Sequence, residues 1–184
     1  FTLSVNCQLS VSDCNVDFGV YGTQSQKSSI CISKGQELDI VGTLLSNDKN
    51  VPVISRVDTN VKHRFFTIHN GGKLSIQNLI LTGGNTNWIA GTSNFHSYGG
   101  AIMAYLGFLN ATNCILNENH GYYGGAIIGM SSNIHINDCT FKENIADSTN
   151  GIGTAVAMLK LSDNINSKLT LKSSVIEKNN GKYG

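Results

Sequence analysis

The chain has 184 residues, 40% hydrophobic and 14% charged, with 20 Gly and one Pro: enough for one sizeable core, and better suited to many short strands than to a helical bundle. Thirteen basic against twelve acidic side chains leave a formal charge of +1, too even a balance to attract nucleic acid or an anionic membrane, so neither is expected as a partner. The longest apolar runs, such as 126–130, fall far short of the ~20 residues a spanning helix needs, so no direct membrane insertion is expected.

Residues 1–29 fit no clear repeat, although LSVSDC at 9–14 echoes IHINDC at 134–139, and they are read as an N-terminal cap or first irregular rung. Phe1 is not followed by the charged and apolar segments of a secretion signal, so this end carries no targeting information. Cys7, Cys14 and Cys31 lie close enough in sequence for one bridge, with the pairing open. Five cysteines are an odd number, so at least one thiol is left over. No C-x-x-C pair is present, so no metal site is expected, nor any cofactor.

From Ile30 onward the sequence repeats. ICISKG at 30–35 matches FTIHNG at 66–71, 36 residues on. After an early copy starting at Leu38, LSIQNLILTGG (74–84), LNATNCILNEN (109–119), IHINDCTFKEN (134–144) and LTLKSSVIEKN (169–179) align at spacings of 35, 25 and 35. A second block, GGAI at 99–102, recurs at 124–127 and more loosely as GTAV at 153–156. The extra residues of the longer spacings fall between Gly84 and Gly100, between Asn144 and Thr154, and between Ala155 and Leu169. A 25-residue unit carrying insertions is therefore the period.

Within a unit apolar residues alternate, as in Leu109, Ala111, then Cys114 and Leu116, which is the signature of strands with one buried face. No stretch between them has the length or 3.6-residue period of a crossover helix. The expected fold is all-β: a right-handed single-stranded parallel β-helix of about five coils over 30–184, each coil paired only with its neighbours. NNGKYG at 179–184 parallels NHGYYG at 119–124, which leads into a GGAI block, so the helix is expected to continue beyond Gly184.

Stacking the units puts Asn119, Asn144 and Asn179 in one column, able to form an asparagine ladder that closes turns. Asn78, Asn113, Asp138 and Ser173 form a second polar column. Cys114 and Cys139 fall on adjacent coils, as either a disulfide or a stack of reduced thiols. Asn110 opens the one clear N-x-S/T glycosylation acceptor.

The insertion at 85–98 carries Trp88, Phe95, His96 and Tyr98, with Tyr122 and Tyr123 on a tight turn one coil later. Aromatic faces on a loop held by a rigid scaffold can stack on sugars or anchor a protein; equally, Trp88 and Phe95 can fold back to pack the loop. The outward columns, such as Asp39, Ser75, Asn110, His135 and Thr170, hold no carboxylate cluster beside a base, so catalysis is not supported. Glu118 and Glu143 share a column with Lys178 and read as a solvated turn. The five His residues form no evident constellation.

The GGAI blocks, each followed by an aromatic or leucine and then Asn (LNEN at 116–119, FKEN at 141–144), resemble the repeats of polymorphic outer membrane proteins. The resemblance covers roughly residues 30–184 and implies a secreted domain of pectin-lyase-like architecture, extracellular or at the cell surface. It implies adhesion or recognition, with a cell-surface protein or glycan as partner. Two other readings remain: part of a carbohydrate-active enzyme, a polysaccharide lyase or epimerase, and a structural rod or filament segment that self-associates end to end.

Overall fold

The computed structural model describes residues 12–18, 23–43, 51–56, 62–86, 95–147, 153–161 and 167–181, and the statements below concern these. They contain nineteen strands, a single-turn 3-10 segment at Phe95–Ser97 and no α-helix.

The period-2 segments form strands of four sheets. The first sheet runs in the order β1 (Ser12–Asp17), β2 (Thr23–Ile32), β5 (Arg64–His69), β8 (Ile102–Tyr105), β12 (Ile127–Met130) and β16 (Val156–Leu159). The second holds β3 (Glu37–Val41), β6 (Lys73–Gln77), β9 (Phe108–Thr112), β13 (Asn133–Asn137) and β17 (Lys168–Lys172). The third holds β4 (Val53–Ser55), β7 (Ile80–Thr82), β10 (Ile115–Asn117), β14 (Thr140–Lys142) and β18 (Val175–Glu177). The short fourth holds β11 (His120–Gly121), β15 (Ile145–Ala146) and β19 (Asn180–Gly181).

Every pairing between these strands is parallel except β1 with β2. The register follows the repeat: Leu38, Leu74, Leu109, Ile134 and Leu169 are successive partners, across spacings of 36, 35, 25 and 35 residues. The insertions therefore leave the pairing unshifted. One core runs through the interior, with Phe66, Ile68 and Ile102 from the first sheet, Leu74, Leu109 and Ile134 from the second, and Leu81, Leu116 and Phe141 from the third.

The corners explain why polar residues recur at fixed places. Asn78, Asn113, Asp138 and Ser173 sit between the second and third sheets with φ of 46–56°, the left-handed region that Asn and Asp enter most readily. Asn113 Nδ2 donates to Asn78 Oδ1 at 2.9 Å. At the next corner Asn119, Asn144 and Asn179 form a continuous ladder. Asn119 Nδ2 donates to Asn144 Oδ1 at 3.0 Å and Asn144 Nδ2 to Asn179 Oδ1 at 2.9 Å. Asn119 and Asn144 are fully buried.

The GGAI motif has a steric cause. Gly124 takes a φ of 60°, and a Cβ on Gly125 would collide with the Thr154 carbonyl of the next coil and lie 2.7 Å from the Ile145 oxygen.

Outside the repeat the pairing changes direction. β2 is one strand across residues 29 and 30, its first half paired antiparallel with β1 and its second half parallel with β5. The Cys14 segment thus belongs to an antiparallel hairpin and not to a parallel step like that of Cys139.

Candidate recognition surface

The first sheet differs from the others in being buried on both faces. β8 and β12 are buried at every position, as continuous apolar runs require. Their inward residues join the central core, while Met103, Tyr105, Ile128 and Met130 point outward into a second cluster. Cys14, Val16 and Phe18 of the N-terminal hairpin join this outer layer, as do Phe95 and Tyr98 of the insertion. Phe18 stacks on Phe95 with centroids 4.3 Å apart and meets Tyr105 at 4.7 Å.

Arg64 fastens the insertion to the sheet. The side chain is fully buried at the start of β5, and its Nη2 donates to the His96 carbonyl at 2.7 Å and the Phe95 carbonyl at 3.3 Å. Nε reaches the Gly99 carbonyl and Nη1 the Thr67 hydroxyl, each at 3.4 Å. Burial drags the guanidinium down to about 9, so it remains a cation at neutral pH and its hydrogen bonds are charge-assisted.

Beside this anchor the tyrosines gather. Tyr98 and Tyr123 lie 25 residues apart, the offset of the paired strands β8 and β12 that follow them, and their rings meet edge-on at 4.6 Å. Tyr122 lies 4.8 Å from Tyr123 and nearly parallel to Tyr98, at 6.4 Å and 12°. Main-chain bonds from Tyr122 N to Ser97 O (2.6 Å) and from Gly99 N to Tyr123 O (2.8 Å) tie the two turns together. Burial pushes the Tyr98 hydroxyl up to about 12, with help from Tyr123 and Tyr122, so it stays a neutral donor.

Of the aromatic positions singled out from sequence, Phe95, Tyr98 and Tyr123 are buried in this cluster, Tyr122 and His96 are half-exposed, and Trp88 lies outside the described residues. Asn110 is exposed on the outward side of β9.

Among Cys7, Cys14 and Cys31, where one bridge was expected with its pairing open, Cys14 and Cys31 form a disulfide. Three arrangements were not foreseen. His69 Nε2 lies 3.4 Å from Cys31 Sγ. The three ligand atoms are close enough for a metal, but the S–S bond engages both sulfurs and leaves only the imidazole. His120 Nε2 meets Asp147 Oδ2 at 2.7 Å, a pair spanning two coils that no local spacing announces. Arg64 was visible only as a basic residue heading an apolar strand.

Cys114 and Cys139 are buried free thiols. Each Sγ donates to the carbonyl two residues back, Thr112 and Asn137, at 3.2 Å. Cys139 Sγ accepts from Cys114 N at 3.4 Å, and Ser174 Oγ repeats the pattern by accepting from Cys139 N at 3.1 Å. The hydrogen bond with Cys139 and burial push the Cys114 thiol up, so it is kept protonated and unreactive.

Among the described residues no helix is long and apolar enough to cross a membrane. No family model matches the chain, and no curated protein or solved structure resembles it at a significant level.

Proposed function

We propose that the chain is a right-handed parallel β-helix acting outside the cell in adhesion or recognition, without catalysis, and that it presents Tyr122 and His96 to a glycan or a cell-surface protein. The polymorphic outer membrane protein type remains the family proposed for it. The observation that carries the recognition reading is the tyrosine group. Tyr122 is half-exposed, stacked nearly parallel to Tyr98, on a turn hydrogen-bonded to its neighbour and anchored through Arg64. A ring held this way loses little entropy when a sugar face or an apolar side chain lies on it.

The outward face of the second sheet supports the same reading. Its partnered column of Asp39, Ser75, Asn110, His135 and Thr170 offers hydrogen-bonding groups of mixed kind instead of paired carboxylates. The disulfide supports an extracellular setting, since such bonds persist in oxidising compartments. The exposed position of Asn110 supports its use as a glycan acceptor there.

A glycan array read beside a lyase assay on uronate polymers tests the proposal. Binding without unsaturated product is expected, weakened about tenfold by Tyr122→Ala, which is about 1.4 kcal/mol. Release of unsaturated product, or binding indifferent to Tyr122, refutes it.

A further inference from the structure

The outward face of the first sheet holds a second group of residues with chemistry of its own. β2 and β5 pair in parallel with Ile32 beside Ile68, and both isoleucines belong to the central core. Strand alternation then sends Cys31 and Thr67, its register partner, to the opposite face, and His69 lies two residues beyond Thr67 on that same face. The hairpin adds Cys14, and the two sulfurs and a ring nitrogen of His69 all lie within 4.8 Å of one another.

The imidazole is poorly provided for. His69 is 8% exposed, its Nδ1 has no hydrogen-bond partner among the described residues, and its Nε2 faces the Cys31 sulfur at 3.4 Å. Sulfur is a weak acceptor, so this contact does little to offset the desolvation of the ring. A buried polar group left in that condition is where an ion or a redox role belongs. Cys14 is buried and Cys31 half-buried, so solvent reaches the group at Cys31.

The geometry points to a redox-gated zinc site: once a thiol reductant opens the Cys14–Cys31 bond, both sulfurs and His69 Nε2 bind one Zn2+, with water from the Cys31 side as fourth ligand. Two reductant thiols supply two electrons and two protons and leave as their own disulfide; Zn2+ then displaces the two protons from Cys14 and Cys31. Tetrahedral zinc, with bonds of about 2.3 Å to sulfur and about 2.0 Å to nitrogen, sets its ligand atoms roughly 3.5–3.8 Å apart, within the spread of this group. The hairpin keeps Cys14 in place without the bond, because β1 is paired with β2 along its whole length and Val16 and Phe18 are buried. In an oxidising compartment the disulfide is the standing form, so zinc binding is confined to reducing surroundings. The site lies apart from Tyr122 and adds to the recognition reading without resting on it.

Cobalt(II), which takes the same ligands and colours thiolate sites, tests the inference on the full chain, reduced and then desalted without oxygen. The reduced chain is expected to bind one Co2+ with a thiolate charge-transfer band that one equivalent of Zn2+ removes; the oxidised chain is expected to show no band. Cys14→Ser and His69→Ala should each weaken Zn2+ binding about a hundredfold. His69→Cys, which supplies a thiolate in place of the imidazole, should keep the band, as should Cys114→Ser with Cys139→Ser. Zn2+ should also raise the urea midpoint of the reduced chain, since only the folded form assembles the three ligands. No band in the reduced chain, or an undiminished one in Cys14→Ser or His69→Ala, overturns the inference. Should His69→Ala fail to fold, loss of the band in His69→Cys, or no midpoint shift in the unaltered reduced chain, overturns it equally.

Discussion

Single side chains in this chain matter according to how many coils they serve. Asn144 satisfies four partners at once: it donates to Leu116 O and Asn179 Oδ1, and its Oδ1 accepts from the main chain and the amide of Asn119. Asn144→Ala strands all four in a dry interior and should cost about 3–5 kcal/mol in urea denaturation. Asn179→Ala, where water can replace the lost bonds at the last coil, should cost about 1 kcal/mol. Equal effects would show that the ladder does not share its load as described. The ladder was legible because Asn recurs at one position of each unit. Arg64 was not, since its partners are carbonyls of an insertion whose path no repeat specifies. His69 was equally hidden, lying beside a disulfide contributed by the hairpin. Burial lowers its pKa from the ordinary 6.5. Below that pH the unfolded chain takes up a proton that the folded chain refuses, so stability should fall as pH drops from about 6.5 through the lowered native value, then level off. His69→Gln should flatten that part of the profile, measured as the urea midpoint against pH; an unchanged slope would contradict the assignment.

At the scale of elements, strand and register were readable and the decoration was not. Alternation in LNATNCILN at 109–117 specifies which side chains face inward, and a one-residue slip would expose all of them, so pairing across a 35-residue spacing holds as firmly as across 25. The glycine pair before β8 and before β12 was legible as a repeat, though not its reason, which is the closeness of the neighbouring repeat's backbone. Gly125→Ala should therefore cost about 3 kcal/mol, whereas Thr154→Ala, at the equivalent position one coil on, should fall within about 0.5 kcal/mol, both read from denaturation midpoints. A mild Gly125→Ala would mean that the coils are free to separate there. The antiparallel hairpin of β1 with β2 escaped the sequence reading because it has no internal counterpart. The apolar runs IMAY at 102–105 and IIGM at 127–130 suit a sheet covered on both faces, but that was not drawn from the sequence, and the cover comes from segments that belong to no repeat.

At the scale of the whole molecule, each described strand of the repeat pairs with its counterpart one unit on, so register and surface follow from a single repeated step. That step positions Tyr98 against Tyr123 and aligns the outward columns. The most direct test is a cross-link between outward residues of adjacent coils in the variant His135→Cys with Thr170→Cys, read by mass spectrometry of the digested, oxidised chain. His135 and Thr170 are register partners although 35 residues apart, and neighbouring strands about 4.8 Å apart bring their Cα atoms within disulfide range. The account predicts near-complete bonding between 135 and 170, and little in the two-residue-slipped pair His135→Cys with Lys172→Cys. Efficient bonding in the slipped pair, or none in the aligned one, would contradict it.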